Sequence, residues 1–186
     1  VSIALHLDRH GDAAAATVEM GRATFQPSAL PCTLTIDELI QQPIEAAGRS
    51  LQFTGVSVGN PHCVIFKQPG EAWTREDLLT LGPALENHSL FPKRTNVQLA
   101  VPTGPKDIFI LIWERGAGET QASGSSSCAA ASAAVRLGLV KGPVTVKMPG
   151  GTLNIEVAQD FSLTMKGPVA EVARGALSPS FVRGLK

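Results

Sequence analysis

The segment 126–137 constrains the fold most, because it reads as a helix built mainly from Ala and Ser that stops at Gly138. A helix that is apolar nearly all round lies buried in a protein core. Its small side chains let neighbouring strands approach closely. We therefore expect this helix to lie at the centre of the fold, with the other elements packed around it.

Short strand-like segments fill most of the remaining chain. They are rich in Val, Ile, Leu, Phe and Thr, and Gly or Pro separates them, which is typical of strands joined by turns. The predicted strands are 2–7, 15–20, 52–58, 63–67, 96–101, 107–113, 144–148, 153–158, 162–166 and 169–174. The sequence thus predicts an α+β fold in which a curled, mainly antiparallel sheet wraps around a central helix.

Further helices are few. Thr74 is placed to cap a helix over 75–81, which ends at the Gly-Pro pair 82–83. A second helical pattern covers 37–47, although Pro43 interrupts it. Strands therefore dominate the predicted architecture.

Composition excludes several classes of function. The 186 residues carry 16 basic and 16 acidic side chains, so the formal net charge is zero and no basic surface for nucleic acid is expected. No apolar run approaches the roughly 20 residues of a membrane helix. The 3 cysteines are widely spaced, which argues against a disulfide scaffold and favours a reducing, cytoplasmic location. We expect no metal, because His62, Cys63 and His88 lack the spacing of zinc ligands.

The segment 113–128 carries the clearest chemical pattern. The charged pair Glu114-Arg115 ends a strand, and a glycine-rich loop leads directly into the central helix. Backbone N–H groups at a helix start lack intrahelical partners and, with the helix dipole, attract a carboxylate or phosphate. The loop does not match the phosphate-loop, dinucleotide or nucleophile-elbow patterns. On spacing alone, an anion site and a simple Gly/Ser turn capping a buried helix are equally good interpretations.

A second stretch of interest is 58–65. Asn60 lies in a turn at a strand edge, and His62 opens the next strand, so both side chains can face a ligand. Strand alternation sends Cys63 to the opposite face. From these residues alone, a turn with a surface histidine and a core cysteine is the favoured interpretation.

Taken together, several motifs resemble the diaminopimelate epimerase family, within the proline racemase-like superfamily. They occur in the family's order and spacing at 59–62, 86–96, 114–124, 148–153 and 165–168. The resemblance runs over nearly the whole chain but corresponds to the C-terminal portion of the family. It implies that the N-terminal catalytic half, with its Cys-Gly-Asn-Gly motif, is absent, and that 1–12 and 168–186 pack on that half.

The resemblance implies an isomerase that interconverts LL- and meso-diaminopimelate without a cofactor, in lysine and peptidoglycan precursor biosynthesis. In such enzymes one thiolate removes the α-proton and a second thiol returns one to the opposite face. The implied partners are the amino-acid substrate, the missing half and a second copy in a homodimer, with no nucleic acid and no membrane. This chain alone is expected to be inactive, since two-base chemistry needs a group on each face.

The motif match also implies roles for individual residues. Asn60 and Asn96 resemble residues that bind the distal amino-acid end of the substrate. Glu114 and Arg115 resemble a charged pair, with Glu114 binding the ammonium group and Arg115 a carboxylate.

The reacting end of the substrate involves another group of residues. Gly124 and Ser125 resemble the helix-start amides over the α-carboxylate. His62 and Glu114 resemble groups held close to the reacting centre, where they tune the thiols.

The chain departs from the family at Ser123, where the family has its second catalytic cysteine. A hydroxyl holds its proton far more tightly than a thiol, so Ser123 is a poor base at neutral pH. Cys128 does not replace it, because a residue inside the helix is expected to be a packed core thiol. Cys32 and Cys63 are also expected to be structural.

Ser123 leaves several interpretations open. It is consistent with a substitution made to trap a complex, with a natural variant, or with loss of activity. A non-catalytic carboxylate-binding or scaffold domain therefore remains an alternative, as does a superfamily isomerase or dehydratase acting on another amino acid. Asn60 and Asn96 suit a second amino-acid head group and weigh against the last of these.

Overall fold

The computed structural model describes residues 2–173 and 175–185. The strands are β1 (Ile3–Leu7), β2 (Ala13–Arg22), β3 (Gln42–Ala46), β4 (Arg49–Ser57), β5 (Pro61–Phe66), β6 (Asn96–Gly104), β7 (Asp107–Glu114), β8 (Gly118–Thr120), β9 (Val144–Met148), β10 (Gly151–Val157) and β11 (Ser162–Pro168). The helices are α1 (Arg75–Glu86), α2 (Gly124–Arg136) and α3 (Pro179–Arg183), with a 3-10 turn at Pro27–Ala29.

The strands form a single curled sheet around α2. Their order is β1-β2-β11-β10-β9-β7-β6-β5-β4-β3, with β8 paired to β7 off this path. The pairings are antiparallel except for β5 with β6 and β7 with β9. A bridge between Thr24 and Ser57 brings the chain after β2 against β4, and α2 packs on strands from both halves of the sheet. The predicted α+β fold with a central helix is confirmed.

The small residues of α2 explain why the sheet can close around it. Cys128 and the alanines of the helix are fully buried. The helix begins two residues earlier than predicted, because Ser123 provides the N-cap. It ends at Arg136, and Gly138 follows with a φ of 70°.

Helix α1 runs further than predicted. Thr74 forms a capping box as expected, but the helix continues through Pro83. Because Pro83 has no N–H, the Leu79 carbonyl one turn earlier lacks its helical hydrogen bond. Leu79 is exposed, so water can bind that carbonyl. The preceding Gly82 serves packing rather than termination, since a Cβ there would lie 2.6 Å from the Trp113 ring.

The predicted helix over 37–47 is wrong. Residues Gln42–Ala46 form strand β3 instead, paired with β4 at the edge of the sheet. An edge strand accommodates Pro43 because it has no neighbour on its other side that needs the missing N–H.

The last predicted strand, 169–174, is also wrong over its described residues 169–173. Val169 donates a final hydrogen bond to the Ala14 carbonyl, and the chain then leaves the sheet. Val172 is 96% exposed, and residues 169–173 form no strand. Residue 174 lies outside the described residues. Across the described chain, every helix is too short or too polar to cross a bilayer.

Candidate functional site

The start of α2 lies at a cleft. Ser123, in extended backbone, caps the helix, and its Oγ accepts a hydrogen bond from the Ser126 N–H at 3.4 Å. The cleft has a volume of about 290 Å³ and is lined by Ala122, Ser123, Gly124, Met148, Gly150, Gly151, Thr152, Leu153 and Pro168. The residue at the predicted catalytic position therefore borders a cavity, at the positive end of the helix dipole.

Close backbone contacts hold this helix start in place. The Gly150 N–H, in the turn between β9 and β10, donates to the Gln121 carbonyl at 2.7 Å. A Cβ at Gly150 would lie 2.8 Å from that carbonyl oxygen, so only glycine fits. A Cβ at Gly124 would lie 3.0 Å from the Met165 sulfur. The loop before Ser123 is thus wedged between the β9–β10 turn and the helix.

His62 lies in the core, not on the surface as the residues alone had favoured. It is fully buried, and its Nε2 lies 3.0 Å from Asn60 Oδ1. Burial lowers the pKa of His62 from 6.5 to about 3, the nearby Gln98 amide opposes this shift, and the Arg115 charge adds to it. The imidazole is therefore neutral at physiological pH and orients Asn60 rather than acting as a cation.

The Asn96 side chain joins two loops by hydrogen bonds. It is 6% exposed, its Nδ2 donates to the Pro61 carbonyl at 2.8 Å, and its Oδ1 accepts from the Arg115 N–H at 3.0 Å. The pairing of β5 with β6 places Asn96 directly beside His62. The structure thus brings Asn60, His62, Asn96 and Arg115 together at one end of the sheet.

Glu86 organises the loop after β7, a role that the sequence analysis did not predict. Its carboxylate accepts hydrogen bonds from Gly116 N–H at 2.8 Å, Trp113 Nε1 at 2.7 Å and Arg94 Nη1 at 3.1 Å. An acidic residue in the last turn of a helix opposes the helix dipole and needs specific partners, but the helix predicted from sequence ended at 81 and so carried no such signal.

Glu114 and Arg115 differ in their surroundings. The half-buried Glu114 carboxylate makes no hydrogen bond or ion pair with any residue the structure describes. The exposed Arg115 guanidinium donates to the Lys93 carbonyl at 3.2 Å. The cleft at Ser123 is not lined by Glu114, Arg115, Asn60 or Asn96. The predicted site residues therefore form two neighbouring groups, one at the cleft and one outside it.

The cysteines are structural, as predicted. Cys63 and Cys128 are fully buried, and burial raises the pKa of both thiols, that of Cys128 to about 12. Neither is a thiolate at neutral pH. Cys32 is half-buried and free. Within residues 2–173 and 175–185, no cluster of His, Cys, Asp or Glu has the arrangement of a metal site.

The sequence matches a family model described as diaminopimelate epimerase over residues 54–172. The diaminopimelate epimerase of Desulfitobacterium hafniense is 39% identical over 160 residues, which cover 86% of this chain and 56% of that protein. The diaminopimelate epimerase of Leptospira biflexa is 37% identical over 176 residues, covering 94% and 62%. The chain thus spans little more than half the length of the curated relatives it matches.

Solved structures share the fold. A predicted epimerase from Pseudomonas aeruginosa superposes with a TM-score of 0.56 at 23% identity, over 95% of this chain and 63% of that one. A hydroxyproline epimerase from Agrobacterium vitis, with bound trans-4-hydroxy-L-proline, gives 0.59 at 13% identity, over 87% and 51%. At these identities the likeness concerns the fold alone.

Proposed function

Because this chain belongs to the diaminopimelate epimerase family, we propose that its protein interconverts LL- and meso-diaminopimelate without a cofactor, in lysine and peptidoglycan precursor biosynthesis. The observation that carries the proposal is that Ser123, where the resemblance implies a catalytic thiol, caps α2 at the edge of a cleft. The family match at 54–172 also includes every predicted site residue. The chain contributes one face of the site.

The start of α2 suits the α-carboxylate of an amino acid. Helix geometry leaves the N–H groups of Gly124 and Ser125 without intrahelical acceptors, and the dipole favours negative charge there. The Glu114 carboxylate, which has no partner among the described residues, suits an ammonium group. Removal of the α-proton develops negative charge on the α-carbon and its carboxylate, which the helix amides stabilise.

Epimerisation needs a proton acceptor on one face of the α-carbon and a proton donor on the other. The C–H bond breaks as a base on the other half takes the proton, and a new C–H bond forms from the group at position 123. A serine hydroxyl that gives up its proton becomes an alkoxide, which is far less stable than a thiolate. We therefore propose that Ser123 severely slows proton transfer on its face, and that this chain alone is inactive.

Exposed apolar side chains support packing of 1–12 and 168–186 on a second half. On β1, Ile3, Leu5 and Leu7 are 60–63% exposed. Near the C-terminus, Val172 and Phe181 are also exposed. Apolar patches of this kind mark interaction surfaces. A homodimer and a cytoplasmic location remain proposals that rest on the family resemblance.

The decisive experiment compares Ser123→Cys with Ser123→Ala in the complete protein that includes the first half. Each is incubated with LL-diaminopimelate in deuterated water, while NMR follows α-deuteration and chiral chromatography follows the meso product. A positioned acid or base contributes about 100-fold or more, so Ser123→Cys should form the meso product at least that much faster than Ser123→Ala. A folded Ser123→Cys variant that forms no meso product would contradict the function.

A carboxylate-binding protein without catalysis is the second candidate, and the serine at position 123 favours it. It predicts that diaminopimelate binds while Ser123→Cys stays inactive. An isomerase or dehydratase for another amino acid is the third, and isothermal titration with trans-4-hydroxy-L-proline beside diaminopimelate distinguishes it. Tighter binding of the proline derivative would favour this third candidate.

A further inference from the structure

A buried row of polar side chains connects the loop before β5 to the first turn of α2. Gln98, on β6, is fully buried, and its Nε2 lies 3.0 Å from Ser126 Oγ. The same amide is near the His62 imidazole without a hydrogen bond to it, and the imidazole Nε2 faces Asn60 Oδ1 at 3.0 Å. The row links the two neighbouring groups of predicted site residues.

In this row, some hydrogen-bond donors and acceptors lack a partner. A neutral imidazole has one N–H and one lone pair. The structure places Asn60 Oδ1 against Nε2 of His62, so Nε2 carries the proton and Nδ1 needs a donor. Reversing the Asn60 amide instead would still leave the Ser126 hydroxyl without an acceptor. Among the described residues, His62 Nδ1 and Gln98 Oε1 have no hydrogen-bond partner, and the Ser126 hydroxyl has no acceptor. Unpaired buried polar groups are costly, so such a cluster calls for another arrangement.

We propose that Gln98 is a positioning residue whose amide donates from Nε2 to His62 Nδ1 and accepts the Ser126 hydroxyl proton at Oε1. A 180° rotation of the amide exchanges two atoms of nearly equal size. With the rotated amide moved closer to the imidazole, Nε2 donates to His62 Nδ1 and Oε1 accepts from Ser126, so every unmatched group in the row gains a partner. In every hydrogen bond of the row, the donor then lies on the helix side and the acceptor on the loop side.

The direction of the row determines what Asn60 offers to a ligand. His62 donates to Asn60 Oδ1, so that oxygen is occupied and the amide N–H groups are left for a ligand. N–H donors suit a carboxylate, whereas the opposite direction would present the oxygen and suit an ammonium group. Gln98 thus selects the distal carboxylate without touching it. The identity of this ligand rests on the proposed function, but the direction of the row does not.

The direction can be read from the His62 tautomer. Long-range ¹H–¹⁵N NMR on histidine-labelled protein identifies the protonated ring nitrogen, and the signal missing in His62→Gln assigns His62. We expect protonation at Nε2 with Nδ1 as a hydrogen-bond acceptor. Protonation at Nδ1 would overturn the proposal, because Gln98 would then be the acceptor. This measurement needs no activity and no variant of Gln98.

Two variants test the effect on the ligand. Gln98→Glu keeps the shape and, as a carboxylate, only accepts, whereas Gln98→Met has similar size and makes neither hydrogen bond. Calorimetry compares diaminopimelate with L-lysine, which lacks one carboxylate. We expect Gln98→Glu to move the His62 proton to Nδ1 and to reduce the preference for diaminopimelate about tenfold, with a smaller loss in Gln98→Met.

The outcomes separate this proposal from the proposed function. An unchanged ligand preference in a folded Gln98→Glu variant would overturn the role of Gln98, whatever the tautomer. If the wild-type protein binds no diaminopimelate, the proposed function fails, while the tautomer still decides the direction of the row.

Discussion

Asn96 joins the start of β6 to the loop after β7, because its Oδ1 accepts a hydrogen bond from the Arg115 N–H at 3.0 Å. The same side chain donates to the Pro61 carbonyl at 2.8 Å. Asn96 therefore fixes the backbone of two loops that carry predicted site residues. Its structural contribution is separate from the substrate contact that the family resemblance implies.

Replacing Asn96 should destabilise the protein. Asn96→Ala leaves one buried and one partly buried backbone group without a partner, and we expect it to lower the free energy of unfolding by about 1–3 kcal/mol in urea denaturation. Asn87→Ala is the matched control, because Asn87 is exposed and makes one side-chain hydrogen bond, to the Pro83 carbonyl. If both variants lost the same free energy of unfolding, the two hydrogen bonds of Asn96 would not be important for stability.

The N-cap at Ser123 should stabilise α2. Ser123→Ala removes the acceptor for the Ser126 N–H, and we expect a loss of about 1 kcal/mol, measured by thermal or urea unfolding. Ser178 caps the short, exposed α3 in the same way, so Ser178→Ala should have no measurable effect. If Ser123→Ala were as stable as the wild type, the cap would not hold the helix start.

Gly150→Ala should disturb the loop before Ser123. The added Cβ would meet the Gln121 carbonyl oxygen at 2.8 Å, and that backbone must move to relieve the contact. We expect a loss of about 1–3 kcal/mol in unfolding free energy and ¹H–¹⁵N shift changes centred on Gln121 and Ser123. Gly175→Ala is the control, since nothing lies within 4 Å of that site. If the shift changes were no larger than those of the control, the contact between Gly150 and Gln121 would not hold this loop in place.

The stability of the protein should fall in mild acid because of His62. Burial, the largest cause, lowers its folded-state pKa to about 3, whereas the unfolded histidine titrates near 6.5. The unfolded chain therefore binds more protons below pH 6.5, and stability falls as pH falls from 6.5 toward 3. From pH 7 to pH 5 the loss should be about 2 kcal/mol in urea denaturation.

His62→Gln provides the control for this pH dependence, since glutamine keeps a hydrogen-bonding side chain but does not titrate. The variant should lose most of the slope between pH 7 and pH 5. An unchanged slope would assign the acid sensitivity to other groups.

Several features followed from local sequence because the forces behind them are local. The small residues of α2 predicted its burial, and Thr74 predicted the start of α1. The end of α1 could not be predicted, since Gly82 is explained only by the Trp113 ring that packs on it. Likewise, Pro43 is tolerated because β3 lies at the sheet edge, which local sequence does not reveal.

The candidate site divides in the same way. The order of the motifs identified Asn60, His62, Glu114 and Ser123 before any geometry was known. Their surroundings depended on contacts between distant segments: His62 is a neutral core residue, and Glu86 anchors the loop after β7.

The sequence by itself therefore determined the family, the central helix and the residue types at the site, because side-chain chemistry and spacing are written in the chain. Only the tertiary structure decided which of these groups are buried and paired. Gln98 and Ser126 are 28 residues apart in sequence, yet they meet at 3.0 Å because β6 packs against α2. Burial and hydrogen-bond partners arise from such long-range packing, and no local pattern encodes them.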